Sequence, residues 1–88
     1  MQTMTLSELP NLGLKSQHML ALAGITTVAQ LQELGSVVAF ARAKQADARV
    51  SLNLLWALEG ALTDQPWQTV AREHRTSLLL ALEAYQRR

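Results

Sequence analysis

The residues best suited to chemistry form a bend near the start of the chain, where Asn11 and Gly13 are followed by Lys15 and Ser16. The bend has an apolar–glycine–apolar centre at residues 12–14, and such a bend can present backbone N–H groups at the start of a helix. Those donors can hold a phosphate without reading bases, and an ammonium group and a hydroxyl can add contacts. We therefore predict Asn11, Gly13, Lys15 and Ser16 as candidate nucleic-acid contacts.

This bend resembles a helix-hairpin-helix motif, with one departure from the usual Gly-apolar-Gly pattern. Asn11 replaces the first glycine. Asparagine tolerates left-handed backbone better than most residues, so we expect the turn to be kept although the phosphate-binding pattern lacks its first glycine. The alternative is that the bend is a tight connector between two helices and contacts only protein.

A second, looser basic group consists of Arg42, Lys44 and Arg49. It could contact phosphate as well, but Asp47 interrupts it, and cations also stabilise the end of a helix. The sequence favours a solvated helix end. Trp56 and Trp67 are expected to fill the core, and an exposed Trp67 would be the informative exception.

Catalytic and metal-binding constellations are not evident in the sequence. Glu59 lies in an apolar stretch without a second catalytic group nearby, which favours a structural role: an ion pair, with Arg72 or Arg75 as candidate partners, or a hydrogen-bonded cap. The two histidines, His18 and His74, lack metal-ligand spacing, and the chain has no cysteine. We predict a protein that is not an enzyme and that has no catalytic residue, metal or cofactor.

Length and composition predict a single all-α domain over residues 1–88, since 49% of the residues are hydrophobic but only 5% are aromatic. A secretory signal is not apparent, and no apolar run approaches the roughly 20 residues that span a bilayer. The expected location is therefore cytoplasmic, without a membrane partner. A net charge of +1 argues against binding nucleic acid mainly through phosphates.

Glycine and proline positions divide the chain into a compact bundle of five to six short helices with a helix-hairpin-helix-like N-terminal part. The stretch from Ser51 to Leu62 is apolar on nearly every side, which predicts a central helix, and Gly60 within it predicts the close approach of another helix. The other predicted segments are Met4 to Leu9, Leu14 to Ala23, Val28 to Leu34, Val37 to about Ala46, a short turn after Pro66, and about Arg72 to Gln86.

The whole chain resembles the C-terminal domain of the TfoX/Sxy family of bacterial DNA-transformation (competence) regulators. The residues that carry the resemblance are Leu9–Gly13, Lys15-Ser16, Ala23-Gly24-Ile25, Leu31, Leu34-Gly35, the run Val50–Leu62 and Trp67. The resemblance implies a helical fold with a hairpin-like start and a link to the control of DNA-uptake genes alongside a cyclic-AMP-responsive activator. It implies no catalytic residue and no cofactor. Family members usually carry an α/β domain before this one, which is not among these 88 residues, so we expect either a stand-alone domain or one excised from a longer protein.

The predicted function is that of a regulatory or accessory module in competence or transcription regulation, acting through protein–protein contacts. The expected partner is the transcription machinery or a second copy of the chain, with contact to the DNA backbone as an additional interaction. The rival prediction is direct, sequence-independent DNA binding by the hairpin-like bend. A third alternative is a small-molecule pocket near Trp56 and Trp67.

Overall fold

Helices account for all regular secondary structure in the computed structural model, which describes residues 4–87. A short 3₁₀ turn and five α-helices follow one another, and no strand occurs within the described range. Their bounds are Leu6–Glu8 for the 3₁₀ turn, Leu14–Leu22 for α1, Val28–Ala46 for α2, Leu52–Thr63 for α3, Trp67–Glu73 for α4 and Arg75–Gln86 for α5. The predicted all-α class is confirmed.

The link between α1 and α2 follows the capping signals of the sequence. Gly24 has a φ of 82°, and Ile25 N–H donates to the Leu20 carbonyl over 2.9 Å, which is a Schellman arrangement. Thr27 caps α2, because its hydroxyl oxygen accepts from Gln30 N–H at 3.1 Å. The Gln30 side chain accepts in return from Thr27 N–H at 3.2 Å, which completes a capping box.

A break at Gly35 divides α2 where the sequence predicted two separate helices. The φ of Gly35 is 81° and its ψ is 168°, a conformation that glycine adopts at little steric cost. The next residue, Ser36, is buried, and its hydroxyl donates to Glu59 Oε1 over 2.7 Å. The structural role predicted for Glu59 is thus filled by a hydrogen bond, whereas its candidate ion-pair partners lie elsewhere: Arg72 pairs with Glu73, and Arg75 lies over the Trp56 ring.

The central position predicted for residues 51–62 is confirmed. Helix α3 packs against both α2 and α4, while α5 packs against α2 and α4. The side of α3 that stays in contact with solvent is narrow, and seven of its residues are buried: Leu54, Leu55, Trp56, Ala57, Leu58, Gly60 and Ala61. Burial on several sides explains why this stretch carries almost no polar side chain.

The last part of the chain contains two helices where the sequence predicted a turn and one longer helix. Helix α4 continues to Glu73, and His74 interrupts it with a φ of −118° and a ψ of 7° before α5 begins. The predicted start of the last helix at Arg72 is therefore three residues early. Within residues 4–87, no helix combines the length and the apolarity that crossing a membrane requires.

Candidate functional site

A groove of about 690 Å³ runs between α1 and the start of α3, and we call it the α1–α3 groove. Its volume falls within the range of roughly 300–1,000 Å³ that is typical of binding sites. The residues that line it come from the bend, α1, the link between α2 and α3 (the α2–α3 link, residues 47–51), α3 and the start of α4. They are Asn11, Lys15, Ser16, His18, Met19, Leu22, Asp47, Arg49, Val50, Ser51, Asn53, Leu54, Ala57 and Trp67.

Three of the four residues predicted as nucleic-acid contacts, Asn11, Lys15 and Ser16, line this groove. Gly13 does not line it. Gly13 is the residue before α1 and has an extended backbone, with a φ of −123° and a ψ of −169°. Open space surrounds the position that a Cβ would take there, so neither conformation nor packing demands a glycine at this position.

Asn11 has the left-handed backbone that the sequence allowed for it, with a φ of 69°. Its side-chain amide is used within the protein: Nδ2 donates to the Gln65 carbonyl oxygen at 2.7 Å, and Oδ1 accepts from Trp67 N–H at 3.1 Å. The second bond satisfies one of the N–H groups that the start of α4 leaves without a helical partner. The Asn11 side chain therefore connects the bend to the loop between α3 and α4 (residues 64–66) and positions Trp67.

Gly60 makes room for this contact. A Cβ built on Gly60 would overlap Asn11 Nδ2 and the Gln65 carbonyl oxygen. The sequence predicted the close approach of another helix at Gly60, and this prediction is wrong in its detail, because a side-chain amide and a loop carbonyl approach instead. Neither group belongs to a periodic pattern, so sequence periodicity could not identify them.

The other side of the bend is held by the 3₁₀ turn. Ser7 N–H donates to Gln17 Oε1 at 2.9 Å, and Leu6, Leu12 and Leu20 are buried beneath. The turn itself is closed by Glu8, whose Oε1 accepts from Thr5 N–H at 2.8 Å and thereby lowers the pKa of the Glu8 carboxyl. Contacts on both sides give the bend a fixed shape.

Two cations from separate segments reach the α1–α3 groove. The Lys15 side chain is exposed on α1 and has no hydrogen-bond or ion-pair partner within residues 4–87. Arg49 lies in the α2–α3 link and forms an ion pair with Asp47, with Nε and Oδ1 3.1 Å apart. The Arg49 side chain is nevertheless 91% exposed. Its hydrogen bonds to Asp47 stabilise the ionised carboxylate and lower the pKa of Asp47.

The basic group predicted from Arg42, Lys44 and Arg49 does not act as one surface. Only Arg49 lines the groove. Lys44 Nζ donates to the carbonyl oxygens of Ala48 and Val50 at 2.7 and 2.6 Å, so this ammonium group closes the C-terminal end of α2. Sequence patterns did not predict that Arg49 and Lys15 line the same groove, because thirty-four positions separate the two residues.

Large apolar side chains are exposed beside these cations. Leu22 is 57% exposed, and Trp67 is 39% exposed. The prediction that Trp67 fills the core is therefore wrong. Trp67 is the first residue of α4, at the edge of the helix bundle, where packing covers only part of its ring, whereas Val70 one turn later is fully buried.

The groove offers charged and apolar side chains for recognition. Asp47 is the one carboxylate among the described lining residues, and it is held by Arg49. Across residues 4–87, no cluster of three His, Cys, Asp or Glu side chains has metal-binding geometry. A groove of this kind can bind a charged and partly apolar ligand.

Comparison with known sequences places this fold in a family. The model of the TfoX C-terminal domain matches residues 2–82. The DNA transformation protein TfoX of Haemophilus influenzae is 32% identical over 83 residues, which cover 94% of this chain and 38% of that protein. The chain thus spans about two fifths of the length of this relative.

Solved structures agree with this relationship. An uncharacterised protein from Listeria monocytogenes, in a triclinic crystal, matches with a TM-score of 0.80 and 34% identity over 94% of each chain. A protein of unknown function from the same organism, in a tetragonal crystal, matches with a TM-score of 0.78 and 35% identity over 90% of this chain and 98% of that one. The chain belongs to the TfoX C-terminal domain family, which is linked to DNA transformation.

Proposed function

We propose that this domain is a non-enzymatic regulatory or accessory module in bacterial DNA transformation and that it binds another protein through the α1–α3 groove. The transcription machinery is the proposed source of that partner, and the cytoplasm is the proposed location. The family relationship supports the process. The exposed apolar side chains of the groove support the mode of action.

The observation that carries this proposal is the combination of Leu22 and Trp67 at the groove surface. Burying apolar surface is favourable by about 25 cal/mol per Å², so these side chains gain free energy when a partner covers them. Tryptophan is enriched among the residues that dominate binding energy at protein interfaces. Apolar side chains surrounded by polar and charged ones also form the usual pattern of a protein interface.

The charge distribution favours protein over nucleic acid as the main partner. The whole chain carries a net charge of +1, and the groove contributes Lys15 and Arg49, of which Arg49 already pairs with Asp47. Non-specific binding to DNA depends on the number of phosphates that cations neutralise. Few cations therefore give weak binding that salt abolishes readily.

The first experiment replaces single residues in the chromosomal gene and measures transformation frequency. Leu22→Ser removes an exposed apolar side chain from the groove and is expected to lower the frequency at least about tenfold, the loss expected from a residue that anchors an interface. Leu80→Ser is the matched control, because Leu80 is 61% exposed on α5 and does not line the groove. The proposal fails if both variants transform as well as the parent.

DNA-backbone contact by Asn11, Gly13, Lys15 and Ser16 is the second candidate function. It is favoured by Lys15, an exposed cation in the first turn of α1, where the helix dipole also attracts anions. Fluorescence anisotropy with a short DNA duplex tests it: binding should weaken steeply as salt rises, and Lys15→Ala should weaken it further. Absence of binding at low salt excludes this candidate.

A further inference from the structure

We infer that the α1–α3 groove takes a segment of the partner protein in which carboxylate side chains flank a bulky apolar side chain. This inference rests on the proposed function and adds the chemistry of the partner. It follows from three properties of the groove: its apolar surface, the sign of its charge and the start of α3 within it.

The apolar surface provides a place for a bulky side chain. Met19 on α1 is half-buried, and Leu54 and Ala57 on α3 are buried, so these three residues form the floor. Leu22 and the Trp67 ring also line the groove and are more exposed. A leucine or aromatic side chain between them would cover apolar surface that now contacts water.

The charge of the groove is positive and partly unused. Lys15 has no partner within residues 4–87, and Arg49 uses Nε and Nη2 for Asp47 at 3.1 and 3.2 Å. A guanidinium group has five N–H donors, so Arg49 retains donors for a second carboxylate. The carboxylate of Asp47 is held by Arg49, which leaves a groove that complements acidic side chains.

The start of α3 adds to this complementarity. Ser51 precedes α3 and lines the groove, but its side chain does not cap the helix. The first N–H groups of an α-helix and its dipole favour negative charge nearby. This effect has the same sign as the charges of Lys15 and Arg49.

An acidic and apolar protein segment satisfies all of these groups, whereas a DNA duplex does not. A duplex backbone would neutralise Lys15 and Arg49 but would place charged phosphates against Leu22 and the floor of the groove. Burying charged groups against apolar surface without partners is unfavourable. We therefore favour the protein segment, and DNA is an outcome that the experiment can reveal.

Selection from a phage library of random short peptides on the whole protein tests this inference. The expected result is enrichment of sequences that combine Asp or Glu with Leu, Phe or Trp. A synthetic peptide of the most enriched sequence is then titrated, and NMR shifts should map its contacts to the groove. Enrichment of basic or uncharged sequences, or binding of a short DNA duplex alone, would overturn the inference.

Charge reversal shows whether Lys15 and Arg49 hold the acidic side chains. Lys15→Glu and Arg49→Glu should each weaken binding of the selected peptide by about tenfold, as rim charges at protein interfaces can do. Arg42→Glu is the matched control, since Arg42 is an exposed cation of α2 outside the groove. An equal effect of Arg42→Glu would show attraction by net charge alone and would contradict the inference.

Reversing the charge of both Lys15 and the peptide distinguishes a direct role of Lys15 from a loss of folding. Lys15→Glu alters an exposed residue without a partner in the described part of the chain, so the fold should be kept, and circular dichroism checks this. A peptide whose acidic residues are replaced by lysine should bind Lys15→Glu better than it binds the parent. Equal binding of that peptide to both proteins would contradict a direct role of Lys15.

The two proposals can fail separately. Loss of transformation in Leu22→Ser together with enrichment of non-acidic peptides would leave the proposed function intact and refute the acidic partner. Selective binding of acidic and apolar peptides together with normal transformation in Leu22→Ser would support the chemistry of the groove and refute its role in transformation.

Discussion

Helices α1 and α3 face each other across the groove, and both are rich in leucine, yet they are packed very differently. Helix α3 buries seven of its twelve residues and contacts α2 and α4. Helix α1 buries Leu20 alone of its nine residues and leaves Leu14 and Leu22 76% and 57% exposed. The number of apolar residues in a helix therefore does not tell whether they stabilise the fold.

The difference arises from the position of each helix. Helix α3 has neighbours on several sides, so nearly every side chain on it is covered. Helix α1 lies at the edge of the bundle and is held by α2 and the 3₁₀ turn, which cover one face. Apolar residues on the uncovered face change the free energy of unfolding little, and their side chains remain available to contact another molecule. The predictions below test this division, from the largest expected effect to the smallest.

The two tryptophans should differ most clearly. Trp56 is 3% exposed in the core, and Arg75 lies over its ring at 5.9 Å. Trp56→Ala should lower the free energy of unfolding by about 3–5 kcal/mol, enough to unfold a small domain. Trp67→Ala, at a residue 39% exposed, should cost only about 1 kcal/mol. Urea unfolding followed by circular dichroism measures both, and equal losses would contradict the division between core and groove.

Gly60→Ala tests the close approach between α3 and the bend. Alanine is favoured over glycine in a helix by about 1 kcal/mol, so this change would stabilise an unobstructed helix. Here its Cβ would displace Asn11 Nδ2 and the Gln65 carbonyl. We expect a net destabilisation of about 2 kcal/mol from overpacking and lost hydrogen bonds, measured by thermal unfolding. An increase in stability would show that the bend can move away freely.

Asn11 variants separate hydrogen bonding from backbone conformation. Asn11→Gly loses the bonds to Gln65 and Trp67 but keeps a residue that tolerates a φ of 69°, so it should lose about 1–2 kcal/mol. Asn11→Ala should lose about 1 kcal/mol more, because alanine is strained in left-handed backbone. Chemical unfolding measures both. Equal stability of the two variants would argue that the backbone at position 11 relaxes.

Exposed leucines of α1 should contribute little to stability. Leu14→Ser and Leu22→Ser are each expected to change the free energy of unfolding by no more than about 0.5 kcal/mol, as most surface substitutions do. Leu20→Ala on the same helix is the contrasting change and should cost about 2–5 kcal/mol, because Leu20 is fully buried. A large loss in Leu22→Ser would mean that reduced transformation in this variant reflects unfolding.

The ion pair of Asp47 and Arg49 should give the smallest effect, a dependence of stability on pH. Arg49 lowers the pKa of Asp47 in the folded protein, so the pair stabilises the fold above the ordinary pKa of an aspartate. This contribution disappears as pH falls through the lowered pKa. Unfolding measured between about pH 7 and pH 2 should therefore show a slightly weaker acid dependence for Asp47→Asn than for the parent. Identical profiles would show that the ion pair is not formed in solution.

Local sequence signals predicted most of the fold. Apolar periodicity identified α3 as the central helix, and the predicted end of α1 at Ala23 and start of α2 at Val28 agree with the structure to within one residue. These signals succeed because capping and periodic burial depend on residues a few positions apart. The division between α4 and α5 at His74 was missed, because no glycine or proline marks it.

The candidate site could be predicted only in part. Three of the four predicted bend residues line the groove, but the role of the Asn11 amide depends on Gln65 and Trp67, more than fifty positions away. Arg49 lines the groove because the α2–α3 link lies beside α1. No local pattern in the sequence encodes such contacts.

The sequence by itself determined that this chain is all-α, that α3 is its centre and that it resembles the TfoX C-terminal domain. Tertiary structure decided which apolar residues remain in contact with water and which cations share a groove. The physical reason is that helix formation and capping depend on neighbours along the chain, whereas exposure depends on what packs against each face. That packing leaves Leu22 and Trp67 exposed beside Lys15 and Arg49.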